Sequence, residues 1–270
     1  MQLNTRKATA GFVAALALVP AVAAAATIEG GPGGERLRGT NAADTINGNG
    51  GNDRIFGRGG DDQLRGGPGN DRVFGGTGND ALSGDTNNAG DRTSFDFLAG
   101  QAGNDTINGG DSADRIYGGS GNDTSNGENG NDKMAGGTGD DTQTGGPGND
   151  VIFANLGQDT SSGGDGNDSL WALARGDVHP GPNGEVDQVG DTLDGGNGND
   201  TFHTRDGEVD RITCGPGNDK ALLDEVDVIT DATAENPKGS CETVVRKVPK
   251  SHDSASEDAQ QAPAASNATH

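Results

Sequence analysis

Apolar side chains are what this chain has least of. Only 29% of its 270 residues are hydrophobic and 3% aromatic. Ordering a backbone costs about 1–2 kcal/mol per residue, more at glycine, and burial on this scale cannot offset it. Taken alone, the composition describes a disordered acidic chain. Basic residues are short as well: 19 Lys and Arg face 42 Asp and Glu, a formal charge of −23. That excess opposes compaction and disfavours nucleic acid as a partner. Cysteine occurs twice, at Cys214 and Cys241, and histidine four times, scattered at His179, His203, His252 and His270. Structural zinc and other soft-metal chemistry therefore lack ligands. No G-x-S-x-G, H-E-x-x-H or Cys/His arrangement is present, so the residues suggest no enzyme.

Long apolar runs are confined to the start. Arg6 and Lys7 precede an apolar stretch from Ala10 to Pro20, and Ala24 and Ala26 make an A-x-A pattern before Thr27. Residues 1–26 are thus predicted to be a secretory signal, too short in its apolar part to span a membrane. Its removal, with Arg6 and Lys7, would take the charge from −23 to −25. In an exported, extracellular chain an even pair of cysteines is expected to oxidise, which predicts a Cys214–Cys241 disulfide.

What the chain does have is glycine, 50 residues of it, and aspartate on a fixed period. Asp44, Asp53, Asp62, Asp71 and Asp80 are nine apart. After a break the same spacing runs through Asp96, Asp105, Asp114, Asp123, Asp132, Asp141, Asp150, Asp159, Asp168 and Asp177, then Asp191 and Asp200, then Asp210 and Asp219. Each follows a turn such as GGPGND (Gly66–Asp71), GGTGND (Gly75–Asp80) or GGSGND (Gly118–Asp123). A carboxylate at fixed phase behind glycines points to a metal-binding solenoid. Glycine permits positive φ and lets carbonyl oxygens share a cavity. Carbonyls and carboxylates are hard ligands suited to Ca2+, which takes 6–8 oxygens.

The run matches G-G-x-G-x-D-x-U-x, with U a large apolar residue, and so resembles the RTX, or hemolysin-type, calcium-binding repeat family. The resemblance spans residues 39–222. It implies an all-β parallel β-roll, two nonapeptides per coil, with Ca2+ between turns eighteen residues apart. On that pattern Asp53 shares an ion with the turn of Asp71, and Asp62 with that of Asp80. The implied ligands are Asp53, Asp62, Asp71, Asp80, Asp105, Asp123, Asp132, Asp141, Asp150, Asp159, Asp168 and Asp200. Carbonyls of turn glycines join them, such as Gly67, Gly69, Gly76, Gly78, Gly119, Gly121, Gly137, Gly139, Gly146, Gly148, Gly164 and Gly166. The roles of Asp44, Asp96, Asp114, Asp177, Asp191, Asp210 and Asp219 stay open. Several flank a break in the period, and the turns of Asp114 (GGDSAD) and Asp177 (ALARGD) have lost glycines. The breaks predict insertions near 84–92 and 179–186. Many relatives carry a catalytic or toxin domain before the repeats. Here only about ten residues separate the signal from the first repeat, so none is expected.

Alternate repeats should fall on opposite sheets. Sheet A would take the repeats of Asp44, Asp62, Asp80, Asp105, Asp123, Asp141, Asp159 and Asp177, and sheet B the others up to Asp168. The inward U positions of sheet B stay apolar (Ile55, Val73, Leu98, Ile116, Met134, Ile152, Leu170), whereas those of sheet A turn polar at Ser125, Gln143 and Ser161. The outward face of sheet B gathers Phe56, Phe74, Phe97, Tyr117, Phe153 and Trp171 among Arg and Lys. This is either ordinary cross-strand pairing or an interaction surface for a polysaccharide, a cell surface, a second copy or the C-terminal tail, as in an adhesin. Sheet A shows a threonine column at Thr106, Thr124, Thr142 and Thr160. Residues 27–38 are expected to be a linker, 214–245 a disulfide-pinned cap over the last apolar layer, and 246–270 a disordered tail.

Overall fold

The computed structural model describes residues 24–85, 94–172 and 190–247. Among them there are only strands, in two parallel sheets of eleven that alternate along the chain. This is the parallel β-roll that the repeat implied. Each repeat makes a strand at x-U-x, and the strand often runs on into the glycines of the next turn, as in Arg115–Ser120.

Strands of neighbouring coils pair in register at the repeat period. Ile116 faces Met134 on sheet B, and Thr124 faces Thr142 on sheet A. Register matters because a one-residue slip would turn every U side chain outward. It survives both interruptions. Val73 pairs with Leu98 across the first, and Ser161 with Leu193 across the second. The second pairing corrects the assignment of Asp177. The strand after Asp159 (Thr160–Asp165) pairs directly with the strand after Asp191 (Thr192–Asn197), so Asp191 holds the sheet A position expected for Asp177. Asp177 itself, the 179–186 insertion, most of the 84–92 insertion and nearly all of the signal segment lie outside the described residues.

Two other boundaries move. The stretch expected as a linker forms the first coil, with strands Thr27–Glu29 and Arg36–Arg38 pairing onto the sheets. Ile28 and Leu37 are its U residues, packed on the core. At the other end the sheets continue through Val228–Ile229 and Thr243–Arg246. Arg246, expected in the tail, therefore closes the last strand; the remainder of that tail past residue 247 is not described. Cys214 and Cys241 are disulfide-bonded and buried, with Cα atoms 5.2 Å apart.

The interior is one file of U side chains per sheet. Ile46, Ile55, Leu64, Val73, Leu82, Leu98, Ile107, Ile116, Met134 and Ile152 form one apolar cluster. A second runs from Leu170 to Cys241. Between them lies the polar stretch of sheet A, with Ser125, Gln143 and Ser161 all buried. Gln143 is satisfied with its amide nitrogen toward Phe153 O and Ser161 Oγ (3.1 Å each) and its oxygen accepting from Gly136 N–H (2.9 Å). The Ser125 hydroxyl is buried with no hydrogen-bond partner. The middle of the roll thus has the weakest apolar support, since each fully buried Ile or Leu contributes about 1.5–3 kcal/mol.

Candidate metal centres

The turn conformation places the oxygens. Positions two and four of most of the glycine-rich hexapeptides take positive φ, as at Gly67 (94°) and Gly69 (137°). Close approach enforces glycine as much as φ does: a Cβ on Gly69 would fall 1.9 Å from Gly51 O, and one on Gly148 would fall 1.3 Å from Gly130 O. The carbonyls of successive turns therefore form files directed along the roll. Of the glycines expected to supply carbonyls, Gly78, Gly119, Gly121, Gly139, Gly146, Gly148, Gly164 and Gly166 each set the oxygen against the glycine one coil on.

The phased aspartates among the described residues are buried, and they form two continuous ladders. In the sheet B ladder the N–H of Glu35, Asp53, Asp71, Asp96, Asp114, Asp132, Asp150, Asp168 and Asp200 donates to Oδ1 of the next coil's aspartate at 2.7–2.8 Å. Asp219 ends it by donating to Glu242 Oε2 at 2.6 Å. In the sheet A ladder Asp44, Asp62, Asp80, Asp105, Asp123, Asp141, Asp159, Asp191 and Asp210 donate in the same way, the last to Asp227, at 2.7–3.2 Å. The structure brings together the pairs expected to share ions, Asp53 with Asp71 and Asp62 with Asp80. It also keeps Asp114 in line despite its altered turn, with Ser112 taking the positive φ (83°) that glycine supplies elsewhere.

Only Oδ1 is used in this way. In Asp53, Asp62, Asp71, Asp80, Asp105, Asp114, Asp123, Asp132, Asp141, Asp150, Asp168, Asp200 and Asp219, Oδ2 is buried and accepts no hydrogen bond. Where it points is visible from the first glycine of the turn. A Cβ on Gly48 would meet Asp53 Oδ2 at 2.3 Å and Gly66 O at 2.4 Å, and one on Gly118 would meet Asp123 Oδ2 and Gly136 O at 2.4 Å each. A carboxylate oxygen and a carbonyl of the next coil thus crowd one spot with no donor between them. Asp44 differs: Thr40 N–H and Ala26 N–H each reach it at 2.5 Å.

Electrostatics follow from this packing. Burial is the largest influence and raises the aspartate pKa values; the incoming N–H offsets part of the rise, and neighbouring carboxylates add to it. Asp71, Asp80 and Asp123 are pushed up to about 7, Asp150 to about 8 and Asp114 to about 9. At Asp44 burial also acts upward, but the Thr40 and Ala26 donors outweigh it and the pKa falls. Leaving a buried acceptor unsatisfied costs about 1–3 kcal/mol, and more for a charged group. A cation among these oxygens removes that penalty. The donor set is all hard oxygen. Both cysteines are in the disulfide, and His203 stacks on Trp171 with ring centroids 3.6 Å apart. Among the described residues no three His, Cys, Asp or Glu side chains converge on one point, so an ion between coils takes most of its ligands from carbonyls. This is the chemistry of calcium, not of zinc.

The match to family models agrees. The RTX calcium-binding nonapeptide repeat model matches residues 29–64, 56–88, 93–125, 126–161, 136–170 and 190–220. The chain belongs to the RTX calcium-binding repeat family. Its cofactor is calcium, bound by several repeats. A search of curated proteins found no match.

Two parts of the RTX roll escaped the sequence reading. Glu35, Asp227 and Glu242 complete the ladders: Glu35 follows a glycine turn (GGPGG, 30–34) but is not an aspartate, and Asp227 and Glu242 follow turns without the glycine pattern. A second ladder uses the residue before the aspartate and runs in the opposite direction. Asn70 N–H donates to Asn52 Oδ1, Asn122 to Asn104, and Asn167 to Asn149, at 2.8–3.0 Å. The recurring Asn-Asp pair was its signal. On the outward face of sheet B the structure shows the cross-strand pairing of aromatics that the sequence allowed. Phe56 stacks on Phe74, Phe74 on Phe97, Phe97 on Tyr117, and Phe153 on Trp171, with centroids 5.1–5.8 Å apart. Arg36 and Arg38 lie over Phe56, and Lys133 over Phe153. Tyr117, Phe153 and Trp171 keep only 3–7% exposure. Phe56, Phe74 and Phe97 stay half-buried, so stacking covers part of this face.

Proposed function

We propose that this RTX chain is a secreted, non-enzymatic calcium-binding protein whose roll folds when Ca2+ enters between its coils. The observation that carries the proposal is the file of buried aspartate Oδ2 atoms with no donor, in a chain with net charge −23 and 29% hydrophobic residues. Without a cation the roll sets like charges in columns around a modest core. With calcium the columns become its cross-braces, so binding and folding are one event. The A-x-A segment before Thr27 and the disulfide support export to an oxidising compartment. Extracellular calcium modules bind at roughly 10⁻⁴–10⁻³ M, which would keep the chain unfolded where calcium is scarce and fold it outside. Secreted chain, purified and examined by far-UV circular dichroism, should show β-structure in millimolar calcium and little in chelator. Equal β content in both would end the proposal.

A further inference from the structure

Charge is divided between the two sheets. The strands of sheet B contain no Asp or Glu, although the chain has 42. Those of sheet A carry Glu29, Asp111, Glu128, Asp165 and Asp194. On the outward face of sheet B, strand pairing sets Arg36, Arg54, Arg72, Phe97, Arg115 and Lys133 in one column, each in register with the next. Arg36, Arg54, Arg72 and Arg115 are exposed. Neighbouring strands lie about 4.7–4.9 Å apart. Arg36, Arg54 and Arg72 therefore follow one another at strand spacing, with no carboxylate on the sheet between them. Like charges in register repel. The neighbouring aromatic column orients these groups without neutralising them. Phe56 and Phe74 stack at 5.1 Å with planes 9° apart, and Arg36 and Arg38 lie over the Phe56 ring at 5.1 and 5.6 Å.

We infer that this arginine column binds a linear, carboxylate-bearing polysaccharide that lies along the roll. The inference goes beyond the calcium reading and rests on it only for a folded, exported chain. Charge complementarity selects an anion, and guanidinium groups take carboxylates in bidentate pairs. Width selects a single narrow polymer. The two outward positions of each strand are about 6.5 Å apart. The flanking turns carry exposed acids such as Asp61 and Asp140, which repel anything as broad as a nucleic-acid duplex or an anionic bilayer. Single-stranded nucleic acid binds by stacking its bases on free aromatic faces, but the Phe56 ring is already engaged by Phe74 and two arginines. From Arg36 to Lys133 the column runs for about 24 Å, long enough to engage more than one carboxylate of an extended chain.

Fluorescence anisotropy of labelled hyaluronan, titrated at low salt with the full chain in millimolar calcium, tests the inference. Arg36→Gln, Arg54→Gln and Arg72→Gln together keep polar side chains and remove three charges. Arg65→Gln and Arg211→Gln remove charge from sheet A as a control. Wild type should bind hyaluronan and not neutral dextran. The sheet B variant should bind about tenfold more weakly or worse, with the circular dichroism of wild type, and the sheet A variant should bind as wild type does. Absence of binding by folded wild type would overturn the inference. So would equal weakening in both variants, which is a general charge effect, or tighter binding to single-stranded DNA or phosphatidylserine vesicles than to hyaluronan. If the glutamine variant does not fold, Arg36→Lys, Arg54→Lys and Arg72→Lys together decide. They keep the charge and lose the bidentate fork, so affinity should fall partway, and wild-type affinity would overturn the carboxylate pairing. Wild type without β-structure in calcium would instead defeat the folding proposal, a separate failure.

Discussion

Replacing Asp150 with asparagine should change stability in opposite directions with and without calcium. Asp150 Oδ1 accepts the Asp132 N–H at 2.7 Å, and asparagine keeps that bond. Its amide nitrogen would replace Oδ2, which now crowds the Gly145 Cα together with Gly163 O. In the metal-free roll that nitrogen can donate to the carbonyl, worth about 0.5–1.5 kcal/mol. It also removes a buried carboxylate whose pKa stands at about 8, raised by burial and then by Asp132 and Asp168. In calcium the same change removes a charged ligand, at a cost of about 1.5–3 kcal/mol. This corresponds to a rise of roughly tenfold or more in the calcium midpoint. The assay is urea unfolding followed by circular dichroism, once in calcium and once in chelator with sucrose to populate the metal-free fold. Opposite signs support the ladder as a cation site. A near-zero effect in both conditions would refute it and leave Asp150 as a plain turn former.

Other outcomes follow from the same structure. In chelator the roll should lose β-structure as pH rises from about 4 to 8. An aspartate with a raised folded pKa stabilises the fold below the unfolded value of 3.8, and this contribution is lost as pH passes the folded values of about 6 for Asp62 and Asp141 and about 7 for Asp71 and Asp123; a pH titration by circular dichroism checks the sign. Ser125→Val should extend the first apolar cluster by one coil of sheet A beside Ile107, remove an unpartnered hydroxyl, and stabilise the calcium form by about 1–2 kcal/mol, read as a higher melting temperature. Opening the disulfide with Cys214→Ser and Cys241→Ser should cost about 3.5 kcal/mol on the chain-entropy model for a separation of 27 residues. Proteolysis should then begin in the cap. Serine at Tyr117, Phe153 and Trp171 together should lower thermal stability by several kcal/mol, whereas an adhesive face would show lost retention on polysaccharide at unchanged stability.

The fold was legible because the repeat encodes it twice, once in the glycine turns and once in the alternation of U residues between sheets. The Asp period located the interruptions and both ladders, and the polar U positions Ser125, Gln143 and Ser161 correctly marked the gap in the core. What stayed hidden lacked part of the pattern. Glu242 accepts the Asp219 N–H with a longer side chain, Glu35 opens its ladder only through its backbone N–H, and Ile28 and Leu37 complete a first coil that has no aspartate of its own. Asp177 shows the opposite error: it keeps the period, yet strand pairing passes it over for Asp191. The aromatic face was legible in part: sequence gives the side on which Phe153 and Trp171 emerge, but not how far neighbouring rings cover one another.

Hydrogen exchange at the ladder amides tests the central claim most directly. The N–H groups of Asp105, Asp114, Asp123, Asp132 and Asp141 bond to carboxylates one coil away, so they report the stacking of coils. They should be strongly protected in millimolar calcium and exchange within seconds in chelator at neutral pH. Equal protection in both would contradict calcium as the agent that holds the coils together.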